Sequence, residues 1–141
     1  MGHAITEARC IKLEGQLDRN TRLVAFLNSP SLKMVRLQGT EAADGALGNA
    51  FIVEGQKVLF YAANLPPLPA GRTYQLWIMR GKGPAIVSGG IARPDVARRL
   101  SIEFANGAMI ADVRGVAVTD EPEGGSPGPT GHKILVGTVR S

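Results

Sequence analysis

Arg99-Leu100-Ser101-Ile102-Glu103-Phe104 places an apolar side chain at every second position. Leu100, Ile102 and Phe104 fall on one side, and Arg99, Ser101 and Glu103 on the other. A period of two is that of an extended strand with one buried and one wet face. Working outward, short apolar runs of the same kind recur between turn residues. Lys33–Leu37, Phe51–Glu54, Lys57–Ala63, Arg72–Arg80, Ala85–Ile91, Gly115–Thr119 and Lys133–Val139 all read as strands. Gly55-Gln56 between the second and third of these has the chemistry of a hairpin turn, and Gly81-Lys82-Gly83-Pro84 reverses the chain after Arg80. With Arg99–Phe104 this makes about eight short strands separated by Gly, Pro and Asn. That pattern predicts an all-β, antiparallel β-sandwich over residues 31–141.

The first 30 residues follow a different period. Between Ala4 and Leu27 the apolar residues sit at helical spacing, with no proline and only Gly15 to weaken the run. Cys10, Leu13, Leu17, Asn20, Val24 and Leu27 follow a 3-4-3-4-3 spacing, a heptad seam with Asn20 at one seam position. The segment reads either as a short parallel coiled coil pairing two copies or as one amphipathic helix. Asn28-Ser29-Pro30-Ser31 stops it, because Pro30 disfavours helical geometry at Ser29. In a parallel pair Cys10 would face its own copy; otherwise it is an inert thiol.

At 141 residues, 44% hydrophobic and 20% charged, the chain is long and apolar enough for one globular core without disulfides. The net charge of +4 raises nucleic acid as a partner, but the basic residues are scattered and only Arg98-Arg99 is adjacent. No aromatics interleave with a basic stripe, so nucleic-acid binding is not expected. Met1-Gly2-His3-Ala4-Ile5 lacks a basic stretch leading into an apolar run, and no segment approaches the ~18 apolar residues of a membrane span.

Catalytic chemistry finds little to use. The only imidazoles are His3 and His132, the only thiol is Cys10, and no carboxylate adjoins His132 in sequence. A structural zinc site wants four Cys or His ligands, and a blue-copper site would need Cys10 inside the sandwich it precedes. Asp120, Glu121 and Glu123 form an acidic cluster, but Pro122 and the following glycines make it read as a solvated loop without calcium-loop spacing. Gly124-Gly125-Ser126 lacks the lysine of a phosphate loop. Leu65-Pro66-Pro67-Leu68-Pro69 reads better as a rigid crossover between buried strands than as a polyproline ligand. Tyr74, Trp77 and Phe60, at strand spacing, read as core. The expectation is a protein with no enzymatic activity, cofactor or metal.

Two separated motifs in a fixed order carry a family resemblance. Leu65, Pro66 and Pro67 lead through Gly71 to Tyr74-Gln75-Leu76-Trp77. Later Val116-Ala117-Val118-Thr119 leads to Glu121-Pro122, then Gly124-Gly125-Ser126-Pro127 and Pro129-Thr130-Gly131. Both resemble the signatures of the anti-sigma-K factor C-terminal domain family, over about residues 20 to 139. The resemblance implies the extracytoplasmic part of a single-pass, membrane-anchored anti-sigma factor. In such a protein a cytoplasmic segment holds an extracytoplasmic-function sigma factor, and loss of the outer domain's integrity admits a site-1-type protease. The sigma-binding segment and the span are not recognisable in this sequence, so it is expected to be the sensing or protease-shielding part. It would contact the sigma factor only through the cytoplasmic part and the membrane only through the span. The alternative is a free-standing sandwich that binds peptide or glycan on the sheet face near Trp77; an exposed Trp77 would favour it.

Overall fold

The structure, a computed structural model, describes residues 20–139. The chain divides into two units, Met1–Leu32 and Lys33–Ser141. In the first, residues 20–27 are helical and the helix ends where Asn28 donates both its backbone N–H and its side-chain amide to the Val24 carbonyl, at 2.9 and 2.8 Å. Cys10, Leu13 and Leu17 of the seam lie outside the described residues. Asn20, Val24 and Leu27 are exposed, whereas Phe26, off the seam, is buried. No described helix is long and apolar enough to cross a membrane.

The second unit is one eight-stranded antiparallel sheet: β1 Lys33–Gly39, β2 Leu47–Val53, β3 Lys57–Ala63, β4 Arg72–Arg80, β5 Ile86–Ala92, β6 Leu100–Phe104, β7 Val113–Pro122 and β8 Lys133–Thr138. All eight predicted strands are present. Their order is β5-β4-β7-β8-β1-β2-β3-β6, so the sheet curls around a single core until its two edge strands nearly meet. At that seam a Cβ on Gly90 of β5 would lie 3.0 Å from the Ile102 side chain of β6. Near closure shields edges that would otherwise offer unpaired backbone groups. The core is the inward set of the alternation: Val35 and Leu37, Ala50 and Ile52, Val58 and Phe60, Tyr74, Leu76 and Ile78, Leu100 and Ile102, Val116 and Val118; Leu135 and its neighbour Ile134, where the β7–β8 register shifts, complete it.

The strand bounds depart most from the reading in two places. β2 begins at Leu47, four residues before Phe51, because Leu47 and Asn49 continue the alternation through the small-residue loop. β7 runs to Pro122 rather than stopping at Thr119, which brings Asp120 and Glu121 into the sheet.

Antiparallel pairing sorts the connections between two ends. The chain enters β1 at Lys33 opposite Ile52, beside the β2–β3 hairpin where Gly55 takes φ +81°. β6 ends and β7 begins at that same end, and β8 finishes there. Here the Arg80 guanidinium, 8% exposed, reaches the carbonyls of Ala111 and Pro84, both at 3.1 Å. At the opposite, far end lie residues 40–46, the proline crossover 64–71, the turn 93–99 and the loop 123–132. Both signature motifs therefore project to the end away from where the chain enters.

Candidate functional site: a buried carboxylate under the motif loop

β4 and β7 are neighbours, with Thr73 opposite Glu121, Gln75 opposite Thr119 and Trp77 opposite Ala117. All six side chains point away from the core, yet all are buried. A strand with both faces covered reads as a continuous apolar run, which is why Arg72–Arg80 lacks clean alternation. Over Gln75 the cover is the loop after β7. Gln75 grips Ser126 with both ends of its amide: Nε2 donates to the Ser126 carbonyl at 3.1 Å, and Oε1 accepts the Ser126 N–H at 2.8 Å. The same Nε2 donates to Ser88 Oγ on β5 at 2.8 Å. The side-chain amide thus stands in for a missing piece of ladder.

Beside this clamp runs a chain of hydrogen bonds. The Trp77 indole N–H donates to Thr119 Oγ1 at 2.7 Å, and the Thr119 hydroxyl donates to Glu121 Oε2 at 2.5 Å. Glu121 then collects the loop. It accepts the Thr130 N–H on Oε2 at 3.1 Å, the Thr130 hydroxyl on Oε1 at 2.5 Å and the Gly131 N–H on Oε2 at 3.1 Å. Gly131 is required by space, since a Cβ there would sit 1.6 Å from the Asp120 carbonyl oxygen. Burial by itself would raise the Glu121 pKa, but the hydrogen bonds from Thr119, Thr130, Gly131 and Ser126 outweigh it and hold the carboxyl at about 2. No buried side-chain nitrogen or oxygen among the described residues lacks a partner.

The solvated acidic cluster expected at 120–123 is therefore not what forms. Glu121 has no exposed surface, and only Glu123 of the three behaves as a loop residue. The period of two sends Asp120 and Glu121 to opposite faces of β7. Asp120 pairs with Arg72 at 3.3 Å, accepts the His132 N–H at 2.7 Å and lies 3.6 Å from His132 Nδ1. His132 thus has a carboxylate neighbour that sequence adjacency did not reveal. It is four-fifths exposed. Among the described residues, no group of three or more His, Cys, Asp or Glu could hold a metal ion.

The first motif's prolines form the crossover expected of them, and its carbonyls are held individually. Leu65 is fully buried; its N–H donates to the Arg98 carbonyl at 3.1 Å, and its own carbonyl accepts Arg98 Nε at 3.0 Å. The Tyr74 hydroxyl donates to the Pro66 carbonyl at 2.5 Å. Arg93 spans the carbonyls of Leu68, Pro69 and Arg72. Burial, with the negative Asp120 nearby, pushes the Tyr74 pKa up to about 12, so the phenol remains a donor. Tyr74→Phe leaves the Pro66 carbonyl without its donor and is expected to cost about 1 kcal/mol, read as a lower urea midpoint at unchanged slope. Sequence reasoning missed Arg93 and Arg98, and gave Thr119 and Thr130 no role beyond their place in the motif. An arginine flanking a proline-rich crossover, whose carbonyls have no ladder partners, was the available signal.

Trp77 is 1% exposed, and its one polar atom is already bonded. The face on which a peptide or glycan was considered is closed. An open groove of about 670 Å³ lies elsewhere, on the outer side of β2, β3 and β6, lined by Leu47, Asn49, Tyr61, Arg99 and Ser101 among others.

No curated protein and no solved structure matches the chain. The family model for the anti-sigma-K factor rskA C-terminal domain matches residues 2–133, which take in both motifs and the carboxylate that joins them. The chain belongs to the anti-sigma-K factor rskA C-terminal family, and with that family come an anti-sigma-factor role and a sigma factor as partner.

Proposed function

We propose that this domain is the extracytoplasmic sensing part of a membrane-anchored anti-sigma factor, and that it controls an extracytoplasmic-function sigma factor through regulated proteolysis. It acts without catalysis. The sigma factor is held by a cytoplasmic segment joined to this domain through a membrane span, and a site-1-type protease reads the state of the outer domain. If the helix before the sheet pairs two copies, it does so along Cys10, Leu13, Leu17, Asn20, Val24 and Leu27.

The observation that carries this reading is the convergence of both family motifs on one buried carboxylate. A shield against proteolysis needs an ordered state that can be lost as a unit. Here the loop 123–131, rich in Gly and Pro and partly exposed, is closed by Glu121 and Gln75. When those contacts break, the loop becomes an extended, cleavable segment.

The test places Glu121→Leu in the full-length anti-sigma factor in its host, with a reporter transcribed by the cognate sigma factor. Constitutive reporter expression that disappears when the site-1-type protease is deleted is the expected result. A silent reporter, in cells where the variant domain is demonstrably opened, overturns the proposal.

A further inference from the structure

The groove on β2, β3 and β6 has the makings of a ligand site. Asn49, Tyr61 and Ser101 stand directly opposite one another on the three strands. Opposed residues on one face hold their Cβ atoms about 5 Å apart, so the three polar side chains form one contiguous row. Tyr61 is 46% exposed, and the Phe51 ring braces it edge-on at 6.4 Å and 68°. Its orientation is therefore set before any ligand arrives, at little further entropic cost. Among the described residues the Asn49 amide, the Tyr61 and Ser101 hydroxyls and the Arg99 guanidinium make no hydrogen bond or ion pair.

The sign of the site is positive. Arg99 is uncommitted, and Arg36, opposite Asn49 on β1, extends the row with a second free guanidinium. Asp95 also lines the groove, its Oδ1 accepting the N–H groups of Ala97 and Arg99, each at 2.9 Å, but Arg93 and Arg99 in the same lining outnumber it. Glu103, further along β6, is bridged by Lys57 at 3.4 Å. The apolar floor, Leu47 with Ala62 and Ala63, is too short and open to enclose an acyl chain. The volume falls in the range of small-ligand sites. It opens at the far end of the sheet, beside the 93–99 turn.

We propose that this groove binds an acidic saccharide. Tyr61 takes the C–H face of a pyranose ring, Asn49 and Ser101 bond its hydroxyls, and Arg99 takes its carboxylate. Binding stands on this geometry alone; that the saccharide is the sensed signal rests on the regulatory reading above.

The experiment is calorimetric titration of the 141-residue chain with trigalacturonate, beside cellotriose as the neutral counterpart and triaspartate as an acidic peptide. Saturable binding of trigalacturonate is expected, weakened about tenfold or more by Arg99→Gln and by Tyr61→Ser, as for loss of one charge-assisted or stacking contact. Arg99→Gln should melt with the parent, and Tyr61→Ser, which loses the Phe51 ring contact, only slightly below it, so both remain folded for the titration. Absence of saturable binding, equal binding of cellotriose or triaspartate, or binding indifferent to both substitutions overturns the proposal. A binding result of either kind leaves the Glu121→Leu reporter experiment unaffected, so the two readings fail separately.

Discussion

Glu121→Leu is expected to lower the stability of the domain by about 4 kcal/mol, which for a domain of this size is a fall in melting temperature of roughly 15 °C. Leucine fills the space but accepts nothing. The Thr130 and Gly131 N–H groups and the Thr119 and Thr130 hydroxyls then lose their common acceptor. Each buried donor left without a partner costs about 1–3 kcal/mol, and the hydroxyls relieve part of that by rotating. The loss is local first: residues 123–131 should open before the sheet melts, since the β7–β8 ladder does not depend on the carboxylate. Thermal unfolding by circular dichroism checks the magnitude. Limited proteolysis with mass spectrometric mapping checks the place, with new cuts expected between 123 and 131. A variant that melts with the parent would show that the loop is held by Gln75 and packing instead.

The strands were legible because each announces itself locally. Arg99–Phe104 alternates, Gly55 marks its hairpin, and even Arg72–Arg80, which lacks clean alternation, is bounded by Gly71 and Gly81. The site was legible only as two motifs without a reason for their pairing. Nothing in the letters of Thr73–Trp77 says that the outward face of β4 is covered, because the cover is supplied about 50 positions later by Ser126. Glu121 was misread for the same cause. Between Asp120 and Pro122, beside Gly124 and Gly125, its surroundings in sequence are those of a wet loop. Its surroundings in space are Thr119, Thr130 and Gly131, which line it with donors and leave it no exposed surface. A buried carboxylate needs several donors, and donors gathered from a returning loop leave no period in the chain. The arginines at 93 and 98 were passed over likewise: a guanidinium that serves backbone carbonyls has no charged partner to betray it.

Acid should open the same loop, and only well below neutrality. In the folded domain Glu121 titrates at about 2, against an ordinary value of 4.5. A carboxyl whose folded pKa lies below its unfolded one stabilises the fold fully above about pH 5, and that stabilisation is lost as the pH falls from 4.5 towards 2. The shift is worth on the order of 3 kcal/mol, comparable to the loss expected for Glu121→Leu because both remove the same acceptor. Glu54, at the other end of the sheet, contributes in the same direction. Burial would raise it, but the Val113 N–H and Lys33 outweigh that and hold it low. Hydrogen exchange separates the two, since protection at Thr130 and Gly131 follows Glu121 while protection at Val113 follows Glu54. Glu121→Gln supplies the control. One amide oxygen can keep the Gly131 N–H while the Thr130 hydroxyl turns to accept from the new NH2, so the variant should fold, with reduced loop protection that is flat between pH 5 and 2. If the parent's loop protection is also flat there, Glu121 is not the group that holds it. A carboxylate that stays ionised to about pH 2 keeps its hold on the loop in mild acid. Under the sensing role proposed above, mild acidification acting through Glu121 would therefore not be the signal.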